Sequence, residues 1–365
     1  MLKLRFLKNF DWILFAAIFL LLAMGISVLY STTLNMVGGS GEALKQLIYA
    51  GIGLVLFFLV SSLDYRLLKG YTSFMYIFVL VMLAFLLFYG KTAMGATRWF
   101  DFGFFQLQPS EIAKLMMIII MAKYFAANHE YMNKFKHIVR SFIFMFIPLV
   151  LVAMQPDLGT AVVFIMIWFF MVFVSNIKKL YVAFMGVLGI GSLPVIWTFL
   201  ADYQKQRVLT FINPSVDPKG TGWNISQALI AIGSGRFFGR GLGHGPQSQL
   251  NFIPEKHTDF IFAAMAEELG FLGIMVFLGL FLVIIIRGIR AAVNSKDLFG
   301  MYLATGIVAM ILFHVFVNVG MNIGIMPVTG IPLPLTSYGG TSIIITLVSV
   351  GILESIIMRY KKIDF

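Results

Sequence analysis

The stretch IPEKHTDFIF, residues 253–262, places a single acid between a polar turn and an apolar run. Thr258 is a good helix N-cap, so we predict that Asp259 lies in the first turn of a helix. The helix dipole favours the ionised carboxylate by about 0.3–1 kcal/mol, whereas desolvation by apolar neighbours opposes ionisation. A carboxylate under both effects can act as a general base toward a hydroxyl, with Lys256 and His257 beside it to stabilise developing charge. The simpler interpretation is an ordinary first-turn acid.

Other charged residues lie within or beside apolar runs of the sequence. Glu111 and Lys114 follow Pro109 with helical spacing and enter the apolar run LMMIIIMA. They form either a structural ion pair or a site where Lys114 offers its charge to a phosphate. Arg98 lies in an aromatic stretch too short to span a membrane, which indicates an interfacial segment that anchors at, or binds, anionic headgroups. Asp157, in QPDLGTA, is expected at a tight turn and a helix N-terminus.

The longest polar interval, 201–258, contains Arg207, the mildly amphipathic run around Gln227 and the glycine-rich run GSGRFFGRGLGHG. No strand precedes these glycines, so a dinucleotide-binding fold is rejected. Glycines let backbone N–H groups approach an anion, and the interleaved Arg236 and Arg240 would suit a pyrophosphate. The alternative is a flexible, turn-rich loop.

Two adjacent acids, Glu267 and Glu268, follow about two helical turns after Asp259, which predicts a position roughly 12–14 Å deeper. Acids at that depth need partners, and Lys114 is one candidate. The segment MNIGIMPVTGIPLPLTSYGGTS predicts irregular backbone that lines a cavity near the outer leaflet. His314 is expected to form a helix–helix hydrogen bond.

Composition places these residues in a membrane protein. The chain has 365 residues, of which 60% are hydrophobic and 12% charged, and its mean hydropathy is +0.93. The absence of cysteine excludes disulfides, thiolate catalysis and zinc–thiolate sites. We predict an all-α polytopic membrane protein, a single domain over 1–365, with ten apolar segments, namely 12–34, 44–62, 71–90, 108–126, 139–154, 158–175, 180–200, 259–287, 298–322 and 334–358.

The distribution of Lys and Arg predicts the orientation of these segments. Seventeen of the 27 basic residues fall in the terminal tails and in alternate, mostly short connections. The positive-inside rule therefore places both termini in the cytoplasm and the 201–258 loop, between helices seven and eight, outside. The net charge of +11 is explained in this way, so nucleic acid is not expected as a partner. No metal-ligand spacing is apparent, although a divalent cation such as Mg²⁺ held by one carboxylate and substrate phosphates would leave no trace.

Several motifs together resemble the SEDS family (shape, elongation, division, sporulation) along nearly the whole chain. They are GATRWF…QPSEIAK, QPDLGTA, YQKQRVLTFINP.VDP, SQALIAIGSG…GRGLGHG, PEKHTDFIFA..EELG and PLPLTSYGGTS. MPVTGIPLPL and the short tails favour the elongation branch over the division branch. The chain departs from the pattern at Arg236 and Phe237, where a glycine often follows GSG, and at Thr341, where serine is common.

The resemblance implies a peptidoglycan glycosyltransferase in the bacterial cytoplasmic membrane that polymerises lipid II on the outer face during cell elongation. It implies a class B penicillin-binding protein and other elongation-complex membrane proteins as partners, undecaprenyl pyrophosphate as the leaving group and no covalent cofactor. Asp259 corresponds to the essential acid of the family. The candidate substrate-binding residues are Arg98, Glu111, Lys114, Asp157, Arg207, Gln227, Arg240, Lys256, His257 and Ser337. Two other functions stay open, a lipid II flippase and a non-catalytic scaffold.

Overall fold

The structure is a computed structural model that describes residues 9–33, 39–93, 96–103, 105–213, 217, 220–253 and 255–360. Most of them are helical. The basic terminal segments used to predict orientation, 1–8 and 361–365, and Lys219 in the long loop lie outside the described residues. The helices are α1 Trp12–Thr33, α2 Gly39–Ser62, α3 Thr72–Tyr89, α4 Pro109–Ala127, α5 Phe135–Ala153, α6 Leu158–Val174, α7 Lys179–Phe199, α8 Asp202–Ile212, α9 Thr221–Ser234, α10 Pro246–Gln249, α11 Ile261–Val293, α12 Leu298–Asn322 and α13 Gly340–Tyr360.

Eight of these helices, within the described ranges, are long and apolar enough to cross a membrane. The helix α6 is apolar but shorter, and α4 is 19 residues long but contains Glu111, Lys114 and Lys123. Each of the ten apolar segments read from the sequence therefore contains a helix. The polytopic helical membrane protein is confirmed at this level.

The aromatic stretch around Arg98 forms strands, which the sequence analysis did not anticipate. Strands β1 (Lys91–Ala93), β2 (Ala96–Asp101) and β3 (Gln106–Leu107) pair antiparallel in the order β1–β2–β3. Threonine, tryptophan and phenylalanine in β2 are residue types that are enriched in strands. This small sheet carries Arg98 from the end of α3 to the start of α4.

The most buried helices are α12 and α13, around which the others pack. The helix α12 contacts α4, α6 and α11, and α13 packs along α2. By contrast, no residue of α7 is buried. The packed centre of the molecule is therefore built from α4, α6, α11, α12 and α13.

Residues 323–339, between α12 and α13, have no regular secondary structure, as their prolines and glycines predict. Their backbone is nevertheless enclosed by protein, since Ile331, Leu333, Leu335 and Ser337 are buried. Irregular backbone at membrane depth requires such enclosure, because its polar groups cannot bond to lipid.

Candidate active site

Asp259 lies in a turn at residues 255–260 and precedes the helix that was expected to contain it. The helix α11 begins at Ile261, and its N-cap residue, Phe260, makes no side-chain capping bond. Thr258 does not cap the helix, because its hydroxyl donates to Glu255 Oε2 at 2.9 Å. The prediction of a first-turn acid capped by Thr258 is wrong for this reason.

Two asparagines of α12 hold this turn in place. Asn318 and Asn322 donate their side-chain N–H groups to the main-chain oxygen of Asp259 at 3.2 and 3.1 Å. Asn322 also accepts a hydrogen bond from the Ala263 N–H at 3.1 Å. Both asparagines are fully buried. The sequence analysis missed them, although their spacing of four residues on one face of an apolar helix was a usable signal.

Asp259 is half-buried, and four charged side chains act on its carboxyl group. Burial raises the pKa of Asp259 to about 6, and the nearby Arg207 is the main influence that lowers it. Glu255 and Asp157 raise this pKa further, whereas Arg98 lowers it. The structure thus brings Arg98, Asp157 and Arg207, three predicted site residues, into the electrostatic environment of Asp259.

Gly330, in the irregular segment before α13, forms one wall beside this carboxylate. It has a positive φ of 73°, and a Cβ added there would lie 3.6 Å from Asp259 Oδ2 and 3.8 Å from Arg207 Nη1. Arg207 is held by a hydrogen bond to the Val328 main-chain oxygen at 3.3 Å. Glycine at this position leaves space next to the acid and the guanidinium.

The turn between α5 and α6 forms a second wall. Arg98 donates to the main-chain oxygen of Pro156, and the Tyr203 hydroxyl donates to the same oxygen at 2.8 Å. Asp157 caps α6 as predicted, since it accepts from the Thr160 N–H at 3.2 Å and from the Thr160 hydroxyl at 2.8 Å. Arg98 Nε is buried without a hydrogen-bond partner, so this guanidinium retains donor capacity.

The contacts of Lys114 lie about one turn of α12 away from the contacts to Asp259. Its ammonium group is 2.7 Å from Glu111 Oε1 and 2.8 Å from His314 Nε2, and all three side chains are buried. The predicted ion pair and the predicted interhelical bond of His314 are therefore confirmed. His314 and Asn318 are four residues apart on α12, so the ion pair lies about one helical turn from the contacts to Asp259.

Three other predicted site residues hold the backbone around the acid. Lys256 is buried and donates to the Ser248 main-chain oxygen, and burial lowers its pKa. The Ser337 hydroxyl donates to the Thr258 main-chain oxygen at 2.7 Å, and the His257 main-chain oxygen accepts from the Tyr338 N–H at 2.8 Å. Gln227, on α9, is also buried. The described contacts thus direct Lys256 and Ser337 to main-chain oxygens rather than to the Asp259 carboxylate.

Glu267 and Glu268 find partners that the sequence analysis did not foresee. Glu267 accepts from the N–H groups of Gln247 and Ser248, both at 2.9 Å, at the start of the short helix α10. Glu268 accepts from the Ser31 hydroxyl at 2.6 Å and the Gly243 N–H at 3.3 Å. Lys114 bonds elsewhere, so the proposed pairing with it is wrong.

The helix α11, which carries these two acids, is interrupted at Gly270, just after them. Gly270 has a φ of 66° and a ψ of −172°, which divides α11 into two helical segments. The second segment, residues 271–293, alone rises roughly 34 Å, enough for about 30 Å of hydrocarbon. Glu267 and Glu268 lie in the first segment, 261–269, which follows Asp259 directly, so their position deeper than Asp259 stays a prediction.

The glycine-rich run fills this interruption, contrary to the prediction of an anion-binding backbone. The N–H groups of Arg240 and Gly241 donate to the main-chain oxygens of Glu267 and Glu268, both at 3.0 Å. A Cβ added at Gly239 would collide with the Glu268 main-chain oxygen. Glycine is therefore needed for close approach between backbones, and these N–H groups are not available to a phosphate.

Two cavities lie outside the Asp259 site. One, of about 490 Å³, is lined by residues 234–240 of the glycine-rich run. The other, of about 390 Å³, is lined by Arg66, Lys69, Ala126 and residues 297–299. No group of three His, Asp or Glu side chains among the described residues could hold a metal ion.

The sequence matches known proteins along almost its whole length. The family model described as cell cycle protein, covering FtsW, RodA and SpoVE, matches residues 9–362. The peptidoglycan glycosyltransferase MrdB of Escherichia coli is 38% identical over 345 residues, which cover 94% of this chain and 92% of MrdB. The stage V sporulation protein E of Bacillus subtilis is 35% identical over 360 residues, with 96% and 98% coverage.

Solved structures give the same result. A peptidoglycan synthase complex that coordinates polymerization and crosslinking contains a chain with a TM-score of 0.81 and 30% identity, covering 96% of this chain and 98% of that chain. The rod shape determining protein RodA of Thermus thermophilus has a TM-score of 0.70 and 28% identity, with 96% and 97% coverage. The chain described here belongs to the FtsW/RodA/SpoVE family, the SEDS proteins.

Proposed function

We propose that this chain is a peptidoglycan glycosyltransferase of the elongation branch, which polymerises lipid II with Asp259 as its general base. The observation that carries the proposal is the half-buried Asp259, which faces Gly330 together with Arg207 and whose carboxyl has a pKa of about 6. The relatives MrdB of Escherichia coli and RodA of Treponema pallidum are both described as peptidoglycan glycosyltransferases, which supports the reaction class.

In the proposed step, Asp259 accepts the proton of the acceptor GlcNAc 4-hydroxyl. That oxygen forms a bond to the anomeric carbon of the donor MurNAc with inversion. The bond from this carbon to the phosphate oxygen breaks, and undecaprenyl pyrophosphate leaves with the electron pair. A pyrophosphate leaving group needs no protonating acid, so one carboxylate suffices where glycosidases use two.

The pKa of Asp259 suits this role. With a pKa of about 6, roughly ten carboxylates are ionised for each protonated one at pH 7, and a general base is most effective when its pKa is near the working pH. A more acidic aspartate would be fully ionised but would accept the proton less readily. Partial burial therefore increases basicity while leaving the basic form dominant.

The leaving pyrophosphate requires positive charge close to the anomeric carbon. Arg207 and Arg98 are the best candidates, because both act electrostatically on Asp259 and Arg98 has an unpaired buried Nε. Lys114 is a weaker candidate, since Glu111 and His314 already surround its ammonium group. Lys256 and Ser337 are proposed to position the turn rather than to bind substrate.

A divalent cation such as Mg²⁺ would need substrate phosphates as ligands besides one carboxylate, since the described residues offer no set of three. Asp259 or Asp157 is the acid that would hold it, because their side chains are close enough to influence each other. No step proposed here depends on that ion.

The proposed topology has ten membrane-spanning helices, both termini in the cytoplasm and Asp259 on the outer face. Eight helices are candidate spans by length and composition, and the charged α4 and the short α6 are proposed as the other two. A class B penicillin-binding protein is the proposed partner. The similar chain in a complex that coordinates polymerization with crosslinking supports this pairing.

A lipid II flippase is the second candidate, and one observation favours it. Transporters often bind substrate where a helix is broken, and α11 is broken at Gly270. However, the main-chain oxygens of Glu267 and Glu268 and the N–H groups of Phe271 and Leu272 all bond to the backbone of the glycine-rich run. The break is therefore closed rather than open to substrate.

Reconstitution of the purified chain with labelled lipid II, with and without a cognate penicillin-binding protein, separates the possibilities. The proposal predicts glycan chains, and it predicts that lipid II does not cross the bilayer in the absence of polymerisation. Transfer of labelled lipid II between leaflets without chains would support the flippase. Neither chains nor transfer, under conditions where the partner crosslinks normally, would support a scaffold.

A further inference from the structure

The run Arg236-Phe237-Phe238-Gly239-Arg240 forms a surface feature that the proposed reaction does not use. We call residues 236–240 the arginine–phenylalanine turn. Its side chains line the cavity of about 490 Å³, and the cavity is bounded by Ser234 on the side of α9. We propose that this turn binds the phosphate group of a membrane lipid between its two arginines.

The backbone of the turn is fixed in place, which is the first argument for a built site. The main-chain oxygens of Arg236 and Phe237 accept from the N–H groups of Phe271 and Leu272 at 2.9 and 3.1 Å. On the other side, the Arg240 N–H donates to the Glu267 main-chain oxygen at 3.0 Å. Both halves of the broken helix are therefore bonded to the turn, and its side chains are presented from a rigid frame.

The second argument is charge. The Arg236 and Arg240 side chains are exposed, and neither guanidinium forms an ion pair with a described residue. Arg240 donates through Nε to the Ser234 hydroxyl at 3.2 Å, which orients it but leaves its two terminal nitrogens available. The Ser234 hydroxyl in turn donates to the Glu267 carboxylate, which also accepts hydrogen bonds from N–H groups of α10. Two arginines thus border one cavity, and the Glu267 carboxylate is connected to Arg240 only through the Ser234 hydroxyl.

The third argument is the apolar surface between the cations. Phe237, Phe238 and Phe271 have 52%, 78% and 57% of their surface exposed, and the Phe237 ring lies 4.9 Å from Phe238 and 5.9 Å from Phe271. Exposed aromatic rings beside arginines are typical of the boundary between headgroups and acyl chains. Phe271 also begins the segment 271–293, which is long enough to span the hydrocarbon by itself.

The fourth argument is backbone strain. Arg236 has a φ of 48°, in the left-handed region that favours glycine. A bulky residue in this conformation is uncommon and is often retained where its side chain is needed. An arginine here, rather than a glycine, agrees with a role for its guanidinium.

A lipid phosphate satisfies all four features. Its anionic oxygens match the planar donors of arginine, and its chains would lie along the exposed rings. The phosphate can belong to a bulk anionic phospholipid or to the polyprenyl pyrophosphate of a wall precursor. These two sources share the chemistry that the turn recognises, and an experiment can distinguish them.

The test uses the purified full-length chain in detergent, titrated with short-chain phosphatidylglycerol, and counts bound lipid by native mass spectrometry. The variant Arg236→Gln/Arg240→Gln is expected to bind the tightest lipid about 30-fold more weakly, and each single variant about fivefold more weakly, as expected for about 1 kcal/mol per arginine. The double lysine variant Arg236→Lys/Arg240→Lys keeps the charge and is expected to retain most of the affinity. Phosphatidylcholine should compete poorly.

Arg290→Gln is the matched control, because Arg290 is an exposed arginine at the opposite end of α11 whose side chain makes no described bond. It should leave the tight site unchanged, as should Asp259→Asn, which makes the result independent of the proposed catalytic role. Displacement by farnesyl pyrophosphate at lower concentration than phosphatidylglycerol would identify the polyprenyl source. The reverse order would identify bulk phospholipid.

Two results would overturn the proposal. One is phosphatidylglycerol binding that is unchanged in the double glutamine variant. The other is an equal loss of binding in the glutamine and lysine variants together with a lowered unfolding temperature, since that would show a structural role of the turn and no recognition of charge.

Discussion

The Asn322 side chain, at the end of α12, bonds the main-chain oxygen of Asp259 at 3.1 Å. The same amide accepts from the Ala263 N–H in the first turn of α11. A single buried amide therefore connects the turn that carries the acid to the helix that follows it and to α12. Together with the bond from Asn318, it holds the main chain of Asp259 against α12.

Replacing Asn322 by alanine should impair both stability and turnover. The change removes the hydrogen bonds of Asn322 to the Asp259 main-chain oxygen and to the Ala263 N–H, each worth about 0.5–1.5 kcal/mol. We expect a lower unfolding temperature and a reduced kcat with a smaller change in KM, because the acid is displaced. Asn294→Ala, which removes only a local bond to the Arg290 main-chain oxygen, is the control and should change neither. An unchanged kcat in Asn322→Ala would contradict this role.

Removing Arg207 should move the pH dependence of polymerisation. Arg207 is the main influence that lowers the pKa of Asp259, which is about 6. In Arg207→Gln this pKa rises, so the acidic limb of the kcat profile should shift to higher pH and activity at neutral pH should fall. Lys205→Gln, a change of charge on the same helix α8, is the control. A limb that moves to lower pH would show that the titrating group is not Asp259.

Gly239 and Gly233 give opposite predictions for the same substitution. A Cβ at Gly239 would collide with the Glu268 main-chain oxygen, and its φ of 80° disfavours alanine, so Gly239→Ala should destabilise the chain by about 1–3 kcal/mol or more. Gly233, within α9, has no atom within 4 Å of an added Cβ. Gly233→Ala should therefore stabilise by about 0.5–1 kcal/mol. Thermal unfolding of the two variants side by side is the measurement, and equal shifts would contradict the docking of the glycine-rich run.

Removing only one partner of the buried Glu111–Lys114 pair should strongly lower the stability of the fold. Lys114→Met leaves the Glu111 carboxylate buried without its cation, which costs about 3–5 kcal/mol. The double variant Glu111→Gln/Lys114→Met should lose less than the sum of the single losses, because no charge is left unpaired. Arg66→Gln breaks the exposed pair with Asp297 and should cost at most about 1 kcal/mol. Additive losses in the double-mutant cycle would show that the pair is not coupled.

Local patterns were sufficient to predict much of this molecule. Helical spacing predicted the Glu111–Lys114 pair, a proline–aspartate turn predicted the cap at Asp157, and prolines with glycines predicted the irregular segment before α13. Each of these features depends on residues within a few positions of one another. The lengths of the apolar segments likewise predicted the long helices.

Most of the errors concern contacts between distant parts of the chain. The partners of Glu267 lie about 20 residues earlier, and that of Glu268 at Ser31 lies 237 residues away. The break at Gly270 is stable only because the glycine-rich run supplies its hydrogen bonds, so the helical pattern on both sides of it gave no sign of an interruption. Thr258 has the residue type of a cap, but its hydroxyl bonds Glu255 instead.

Polymerisation of lipid II by Asp259→Asn in proteoliposomes tests the central claim most directly. The amide keeps the size of the side chain but cannot accept the proton, so the rate should fall by about 10²–10⁴-fold. The control Asp202→Asn, an exposed acid at the start of α8, should polymerise at the wild-type rate. Folded Asp259→Asn protein that polymerises lipid II as fast as the wild type would contradict the account.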